Sequence, residues 1–401
     1  MALARPLAIA LFLVIASGCG DSAPPPQPVE PNTYRIYSSF PSSGPAAGAS
    51  REIISAIDLA IGQSSGQGSA RRVEHIKLHL PDQEFRPGVR DAEALNAELA
   101  ARDPSAVAYI GPYTSGDAAK SLPITNRAGL LQIGVSQTWP GLTQPGWESG
   151  EPGMYTPSGQ RVYVRLSRSD SVQAQAAARW MLSDGVARAV AASDGSSYSN
   201  GMRDSFILAM QAAGRPVIGT LLLAEARLSE ASAEVTRLKA DAMFYAPSST
   251  RQAIVLAREI QKAGLSKGIY STDTALNDQF AEGAQQAASS WHIVFNGSPT
   301  LPAEGTAQDF SHAFANTYGD EPGIYAAYAY DAANLVIRAV NSLPAPNRST
   351  VASAVLDTNM YRGASGIVSF DKSGDIVGWT MPGYQFRSGS FLNVHTLTSA
   401  P

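Results

Sequence analysis

The stretch that most limits how this chain can fold is Ala106–Thr143, AVAYIGPYTSGDAAKSLPITNRAGLLQIGVSQTWPGLT. It reads as two strands joined by a helix. Val107–Ile110 is a short apolar run, long enough for a strand buried on both faces. Gly111–Ser115 is a turn of small and hydroxyl-bearing residues, and Gly116–Ala128 supplies a helix. Leu130–Val135 is a second apolar run that ends in Ser136, Gln137 and Thr138. In an open α/β sheet, ligands sit beyond the carboxyl ends of the strands. Ser115, Ser136 and Thr138 fall at two such ends, beside backbone N–H groups and a helix N-terminus. That combination suits an anion, especially a carboxylate. No nucleophile–base pair accompanies it, so the site reads as one that binds and does not react.

The alternation continues on both sides. Tyr34–Ser39 reads as the first strand, and Ser50 as the cap of a helix with Ile53, Ile57 and Ile61 at i, i+4 and i+8. Ile76, Leu78 and Leu80 alternate as a strand ending at Pro81-Asp82, and a helix over Val89–Ala101 carries Leu95 and Leu99. Trp139–Gly159, rich in Gly, Pro and polar residues, reads as a surface excursion. Strand Val162–Leu166 precedes a second series. There, helices Ser169–Ser183, Gly201–Ala213, Ser229–Leu238 and Arg251–Ala263 alternate with strands Val186–Ala192, Val217–Leu223, Ala242–Ala246, Gly268–Ser271 and Trp291–Phe295. Asn296–Pro299 reads as a return crossing. Helices Thr306–Tyr318 and Gly323–Asn341 and late strands Gly366–Phe370 and Gly383–Phe386 follow. With 401 residues the chain is too long for one ordinary core. The expected fold class is α/β, with two doubly wound parallel-sheet lobes and multiple crossovers.

The leading segment reads as an export signal. Met1–Arg5 carries one positive charge, and Leu7–Ile15 is an apolar run too short to span a bilayer. Ala16-Ser17-Gly18 then precedes Cys19, the only cysteine in the chain. Small residues directly before a cysteine resemble a bacterial lipobox, in which the thiol is lipidated; an ordinary signal peptide with a cysteine nearby is the alternative. The expectation is a signal peptide over 1–18, lipidation at Cys19 and a proline-rich extended tether over 19–32. No later segment is apolar enough to span a bilayer, so the folded part is expected to be exported and held at one end by a lipid. A net charge of −4 offers no basic footprint for nucleic acid.

A set of ordered motifs resembles the periplasmic-binding-protein type I fold, and more narrowly the branched-chain amino acid (Leu/Ile/Val) substrate-binding proteins of ABC transporters. Ser43-Gly44-Pro45-Ala46 resembles that family's S-G-P-x loop, and Tyr109-Ile110-Gly111-Pro112 with Ser115-Gly116 its I-G-P-x-x-S segment. Ile133–Thr143 follows its I-S-P-x-x-T-N-P-x-L-T, and Arg165 and Asp170 fall on its R-x-x-x-x-D. Asp194, Tyr198 and Gly201 resemble its D-x-x-Y-G-x-G, Tyr325–Ala332 its Y-A-A-x-A-Y-D-A, and Gly363–Asp375 its G-x-x-G-x-x-x-F-D-x-x-G-D. The resemblance covers nearly all of 33–401. It implies two hinged lobes, 33–166 with 299–380 and 167–298 with 381–401. It also implies that Ser115, Ser136 and Thr138 hold a ligand carboxylate, and that Asp273 holds the ammonium. Tyr198 and Tyr325 would close over the ligand, with Tyr113 and Gln137 completing the candidate set. The chain departs from the family at Ala49, where an aromatic is common, at Trp139, where Asn is usual, and at Gln137, where a small residue is usual. Structural roles also fit these residues: Asp273 would cap a helix starting near Ala275, and the hydroxyl residues would serve as turn and cap residues.

Other signals are weaker. Gly62–Gly66 spells G-x-S-x-G but follows a helix, not a strand. His75 and His79 alternate on a strand without H-E-x-x-H, Gly66-Gln67-Gly68 lacks the rest of a dinucleotide fingerprint, and Arg71-Arg72 is a short basic pair. The expectation is therefore a non-enzymatic, extracytoplasmic solute-binding lipoprotein. It would need no cofactor or metal, and would deliver a small polar ligand, foremost an amino acid, to an ABC permease. The alternative is a tethered sensor or docking subunit that recognises a small amide or aromatic acid and signals to a membrane receptor.

Overall fold

The computed structural model describes residues 32–65, 71–80, 91–296 and 305–398. The expected signal peptide, Cys19, the tether up to residue 31, Gly66-Gln67-Gly68, the strand end at Pro81-Asp82 and most of the return crossing lie outside the described residues.

The first half lays down β1 (Thr33–Pro41), α1 (Ala47–Ser65), β2 (Arg72–Leu80), α2 (Ala92–Arg102), β3 (Ala106–Ile110), α3 (Ser115–Arg127), β4 (Leu131–Gly134) and β5 (Tyr163–Arg165). These strands form one sheet in the order β2-β1-β3-β4-β5, with every neighbour parallel. All five residues of β3, AVAYI, are buried, as a strand covered on both faces requires. The chain then builds α4 (Asp170–Ser183), β6 (Ala189–Ser193), α5 (Ser197–Ala212), β7 (Gly219–Leu222), α6 (Ala231–Arg237), β8 (Ala242–Tyr245), α7 (Thr250–Ile260), β9 (Gly268–Thr272), α8 (Asp278–Ala284) and β10 (Trp291–Val294). The remaining elements are α9 (Thr306–Tyr318), α10 (Ala326–Ser342), α11 (Arg348–Leu356), a small hairpin of β11 (Tyr361–Gly363) and β12 (Gly366–Val368), and the strands β13 (Thr380–Arg387) and β14 (Ser390–Thr398).

The second sheet runs β14-β13-β10-β9-β8-β6-β7. It is parallel from β10 to β7 and carries the antiparallel pair β13–β14 at one edge. Each sheet has its own core. Ile36, Val107, Ile133 and Val164 pack with Ala329 and Val336 of α10 and Val351 of α11, so helices from late in the chain cover the first sheet. Val190, Met243, Ile269 and Trp291 fill one face of the second sheet, and Trp180, Phe206, Phe244 and Tyr270 the other. The chain therefore passes between the sheets three times: from β5 to α4, from β10 to α9 and from β12 to β13.

Several expectations are corrected. Leu95 and Leu99 of α2 are 40% and 43% exposed, whereas Glu93 is 1% exposed. The hydroxyls of Ser39 and Tyr109 donate to the Glu93 carboxyl at 2.6 and 2.7 Å, and burial pushes that group up to about 8. Ser50 does not cap α1, which already begins at Ala47; its hydroxyl is buried in the first turn without a partner. The excursion after Trp139 is a packed flap: Leu142 and Tyr155 are buried against Ala118, Leu122 and Tyr163. Helices α8 and α11 and strands β11 and β14 were not expected. All are short or alternate weakly, and partner elements hold them in place. The His75 ring bridges Asp58 and Ser38 at 2.8 Å on each nitrogen, and Gly62–Ser65 form the last turn of α1.

Candidate functional site

The carboxyl ends of strands from both sheets meet around a cavity of about 180 Å³. It is lined by Thr138, Asp170, Gln173, Tyr198, Asp273, Thr274, Asn296 and Tyr325. Local structure fixes each position. Thr138 follows β4, and its carbonyl accepts the backbone N–H of Asp170 at 2.8 Å. Asp170 and Gln173 occupy the first turn of α4, and Tyr198 sits in the first turn of α5, whose cap Ser196 accepts the Ser199 N–H. Asp273 follows β9, Asn296 lies just beyond β10, and Tyr325 is the residue before α10. Larger surface depressions, of about 720 and 650 Å³, have no carboxylate in their linings.

The electrostatics are acidic. Burial pushes the Asp170 carboxyl up to about 6, against a hydrogen bond from the Thr138 side chain and the field of Arg165, with Asp273 adding repulsion. Burial also raises Asp273, while the Gln173 amide, which donates to it at 2.5 Å, and the backbone of Asn296 pull it partly back. Burial and Asp273 hold the phenols of Tyr198 and Tyr325 protonated. Of the nearby cations, Arg165 is directed to other partners, whereas Arg168 keeps its Nε buried without one. Arg165 donates to Asp375 at 2.7 Å, to Thr143 at 2.8 Å and to the Trp139 carbonyl at 2.7 Å, and Arg168 donates to Tyr328 at 2.8 Å. Asn296 donates through its amide nitrogen to the Arg168 carbonyl at 3.0 Å, and its amide oxygen is buried without a partner. The arrangement can hold a small group rich in N–H donors.

The cavity brings Thr138, Tyr198, Asp273 and Tyr325 together. Tyr113 stands beside it, with its ring edge-on to Tyr325 at 6.0 Å between centroids. Ser115, Ser136 and Gln137 are absent from the lining and build the rim behind it. Ser115 Oγ accepts the N–H groups of Thr138 and Trp139 at 3.2 Å each, leaving its own proton free to donate. Ser136 Oγ donates to the Tyr113 carbonyl at 2.7 Å, and the buried Gln137 amide donates to the Pro112 carbonyl. Asp273 does not cap a helix near Ala275: it is itself the first residue of a short 3-10 turn, Asp273–Ala275, and the next α-helix starts at Asp278, where Asn277 accepts the Phe280 N–H. Trp139 is held by Glu151, which accepts from its indole nitrogen at 3.0 Å. Its ring lies over Gly201 of α5, where an added Cβ would come within 2.6 Å of it. The flap thus reaches across to the second sheet's helices. Sequence reasoning missed Gln173, Thr274 and Asn296 and gave Asp170 no binding role. The strand-end rule offered a signal for Asn296 and Thr274; Gln173 had only its place one turn after Asp170.

Solved structures share this fold. The branched-chain amino acid transporter substrate binding protein LivJ from Streptococcus pneumoniae, in complex with isoleucine, superposes with a TM-score of 0.67 at 21% identity, over 92% of this chain and 100% of that one. The leucine binding protein LivK from Thermotoga maritima superposes at 0.71 with 20% identity, over 91% and 98%. A solute binding protein from R. palustris in complex with benzoate superposes at 0.67 with 18% identity, over 92% and 98%. No curated protein matches the chain in sequence. The fold is that of the type I periplasmic binding proteins. The family model described as periplasmic binding protein matches residues 33–389, and the chain belongs to that family.

Proposed function

We propose that this protein is the extracytoplasmic solute-binding component of an ABC importer, and that it captures a small amine-bearing solute, an amino acid or related zwitterion, between two lobes. Residues 33–166 with 299–380 would form one lobe and 167–298 with 381–401 the other. The observation that carries the reading is the partly buried Asp273 carboxylate, set in a cavity ringed by Thr138, Tyr198 and Tyr325. Asp273 takes the ammonium through charge-assisted hydrogen bonds. The free proton of Ser115 and the N-terminus of α3 offer the ligand carboxylate a partner on the opposite rim. Tyr113 and Tyr325 supply an apolar wall, and Ser136 and Gln137 position the rim. Two carboxylates in the lining disfavour a purely anionic ligand such as an aromatic acid. Ligand contacts from both sides stabilise the closed form. Cys19, lipidated after removal of residues 1–18, would tether the protein to the membrane beside its permease. Among the described residues no helix is long and apolar enough to cross a membrane.

A thermal-shift screen across amino acids, amides and aromatic acids should find its largest stabilisation with an amine-bearing member. In calorimetric titration of that member, Asp273→Asn should weaken binding by about 2 kcal/mol or more, the worth of a charged hydrogen bond. Unchanged affinity would remove Asp273 from the site.

A further inference from the structure

Every polar group of Trp139 is anchored to the first half of the chain. Its N–H donates to Ser115 Oγ at 3.2 Å, its carbonyl accepts from Arg165 at 2.7 Å, and its indole nitrogen donates to Glu151 at 3.0 Å. Glu151 is fixed in turn, because the Tyr155 hydroxyl donates to it at 2.7 Å and the Glu148 N–H at 3.2 Å. The Trp147 ring packs edge-on against the Trp139 indole, with 5.6 Å between centroids. The ring therefore has little freedom to swing. Its remaining edge crosses to the second half and seats on Gly201, in α5. A Cβ there would lie 2.6 Å from Cζ3, and 3.5 and 3.6 Å from Cη2 and Cε3. Gly201 does not adopt a positive φ, so what its missing side chain provides is room for the ring. Glycine within a helix is otherwise unfavourable.

The contact is local. Alongside it the flap and the helices stand apart across an open depression of about 720 Å³, with Gln144 and Trp147 on one side and Gln175, Arg179 and Leu208 on the other. The Trp139 atoms that meet Gly201 are all carbon, so the contact can part and re-form without stranding a polar group. It also adjoins the cavity. Thr138 precedes Trp139, Tyr198 lies one turn before Gly201 on α5, and both line the cavity.

Resting on the proposed solute-binding role with two hinged lobes, we propose that Trp139 and Gly201 are a positioning pair, an interlobe clasp that holds Thr138 and Tyr198 together across the cavity and favours the closed form before a ligand bridges it. The anchors of the ring lie in one lobe and its seat in the other. The contact is therefore made only while the lobes are together, and it breaks when they part. A contact made in one of two states shifts their equilibrium by its own free energy. The clasp adds to the ligand's own contacts in keeping the cavity shut.

Distances between two spin labels on the full chain, with no solute added, test this. The labels go on Leu99→Cys of α2 and Val255→Cys of α7, exposed positions in different lobes. A Cys19→Ser background removes the only native thiol. With Trp139 and Gly201 intact, the main population should have the separation that these helices have in the structure. Gly201→Ala should raise the ratio of longer separations to that population by about tenfold or more, the scale of overpacking by one methyl group. Trp139→Ala, which removes the ring without a clash, should shift the distances the same way. The melting temperature of Gly201→Ala should not fall, because alanine suits a helix better than glycine. A purely structural contact would instead lower the melting temperature and leave the distances unchanged, which overturns the clasp. Unchanged distances in both variants overturn it too, as does an intact chain that lacks the closed population. Should Gly201→Ala fail to fold, Trp139→Ala carries the decision. The distances need no solute and the titration of Asp273→Asn needs no clasp, so the two readings fail separately.

Discussion

The two walls of the cleft carry similar polar residues and use them in opposite ways. On the first-sheet wall, Ser115, Ser136, Gln137 and Arg165 direct their hydrogen bonds inward, to backbone and to Asp375. On the far wall, Asp170 and Asp273 line the cavity with carboxyls that burial holds raised, and each wall carries one orphaned oxygen, Gln137 Oε1 on the first and Asn296 Oδ1 on the second. The difference teaches that a polar residue at a strand end serves a ligand only to the extent that the fold has left it unsatisfied. The first wall directs most of its hydrogen bonds to its own shape, leaving the Ser115 proton and the Gln137 oxygen, whereas the second leaves two carboxylates in the cavity lining.

Three experiments sharpen or break that contrast. The largest effect is expected at Arg165, which is fully buried and joins the flap, β5 and the Asp371–Asp375 turn. Arg165→Ala leaves Asp375 buried without its partner and should cost about 3–5 kcal/mol of stability, read as a lower urea midpoint. A loss under about 1 kcal/mol would contradict the view of this wall as a scaffold.

The second concerns Asp170 on the far wall. Its carboxyl is pushed up from an ordinary 3.8 to about 6. Between about pH 4 and 6 the folded protein keeps a proton that the unfolded chain has lost. Stability therefore falls as pH rises through that window, by on the order of 2 kcal/mol. Asp170→Asn should flatten this part of the pH–stability curve, with Asp273 and Arg165 remaining as the charged neighbours. A pH profile identical in wild type and variant would show that Asp170 is not strained.

The smallest effect is expected at Ser136. Ser136→Ala removes one hydrogen bond to the Tyr113 carbonyl and should cost about 1 kcal/mol of stability. Its effect on ligand affinity should be well below that of Asp273→Asn. An equal loss of affinity would place Ser136 among the ligand contacts and erase the contrast between the walls.

Much of this was legible in the sequence because burial on both faces demands continuous apolar strands. The runs at Val107–Ile110, Ala242–Ala246 and Gly268–Ser271 announced themselves for that reason. Periodicity misled at α2, where Leu95 and Leu99 face solvent and Glu93 is buried by hydroxyls from β1 and β3. No local pattern encodes a partner sixteen or fifty-four residues away.

By itself, the sequence determined the βα alternation, the two-sheet class and the strand ends at which a site would lie. Those features follow from short-range apolar patterning and from the general geometry of parallel sheets. Only the tertiary structure decided which polar residues are spent and which are left over. Whether Asn296 has a free oxygen depends on where the Arg168 carbonyl stands, more than a hundred residues earlier in the chain. Whether Ser136 faces a ligand depends on the path of the backbone at Tyr113. Hydrogen-bond satisfaction is a property of distances in space, and these are set when the strands, the flap and the helices pack together.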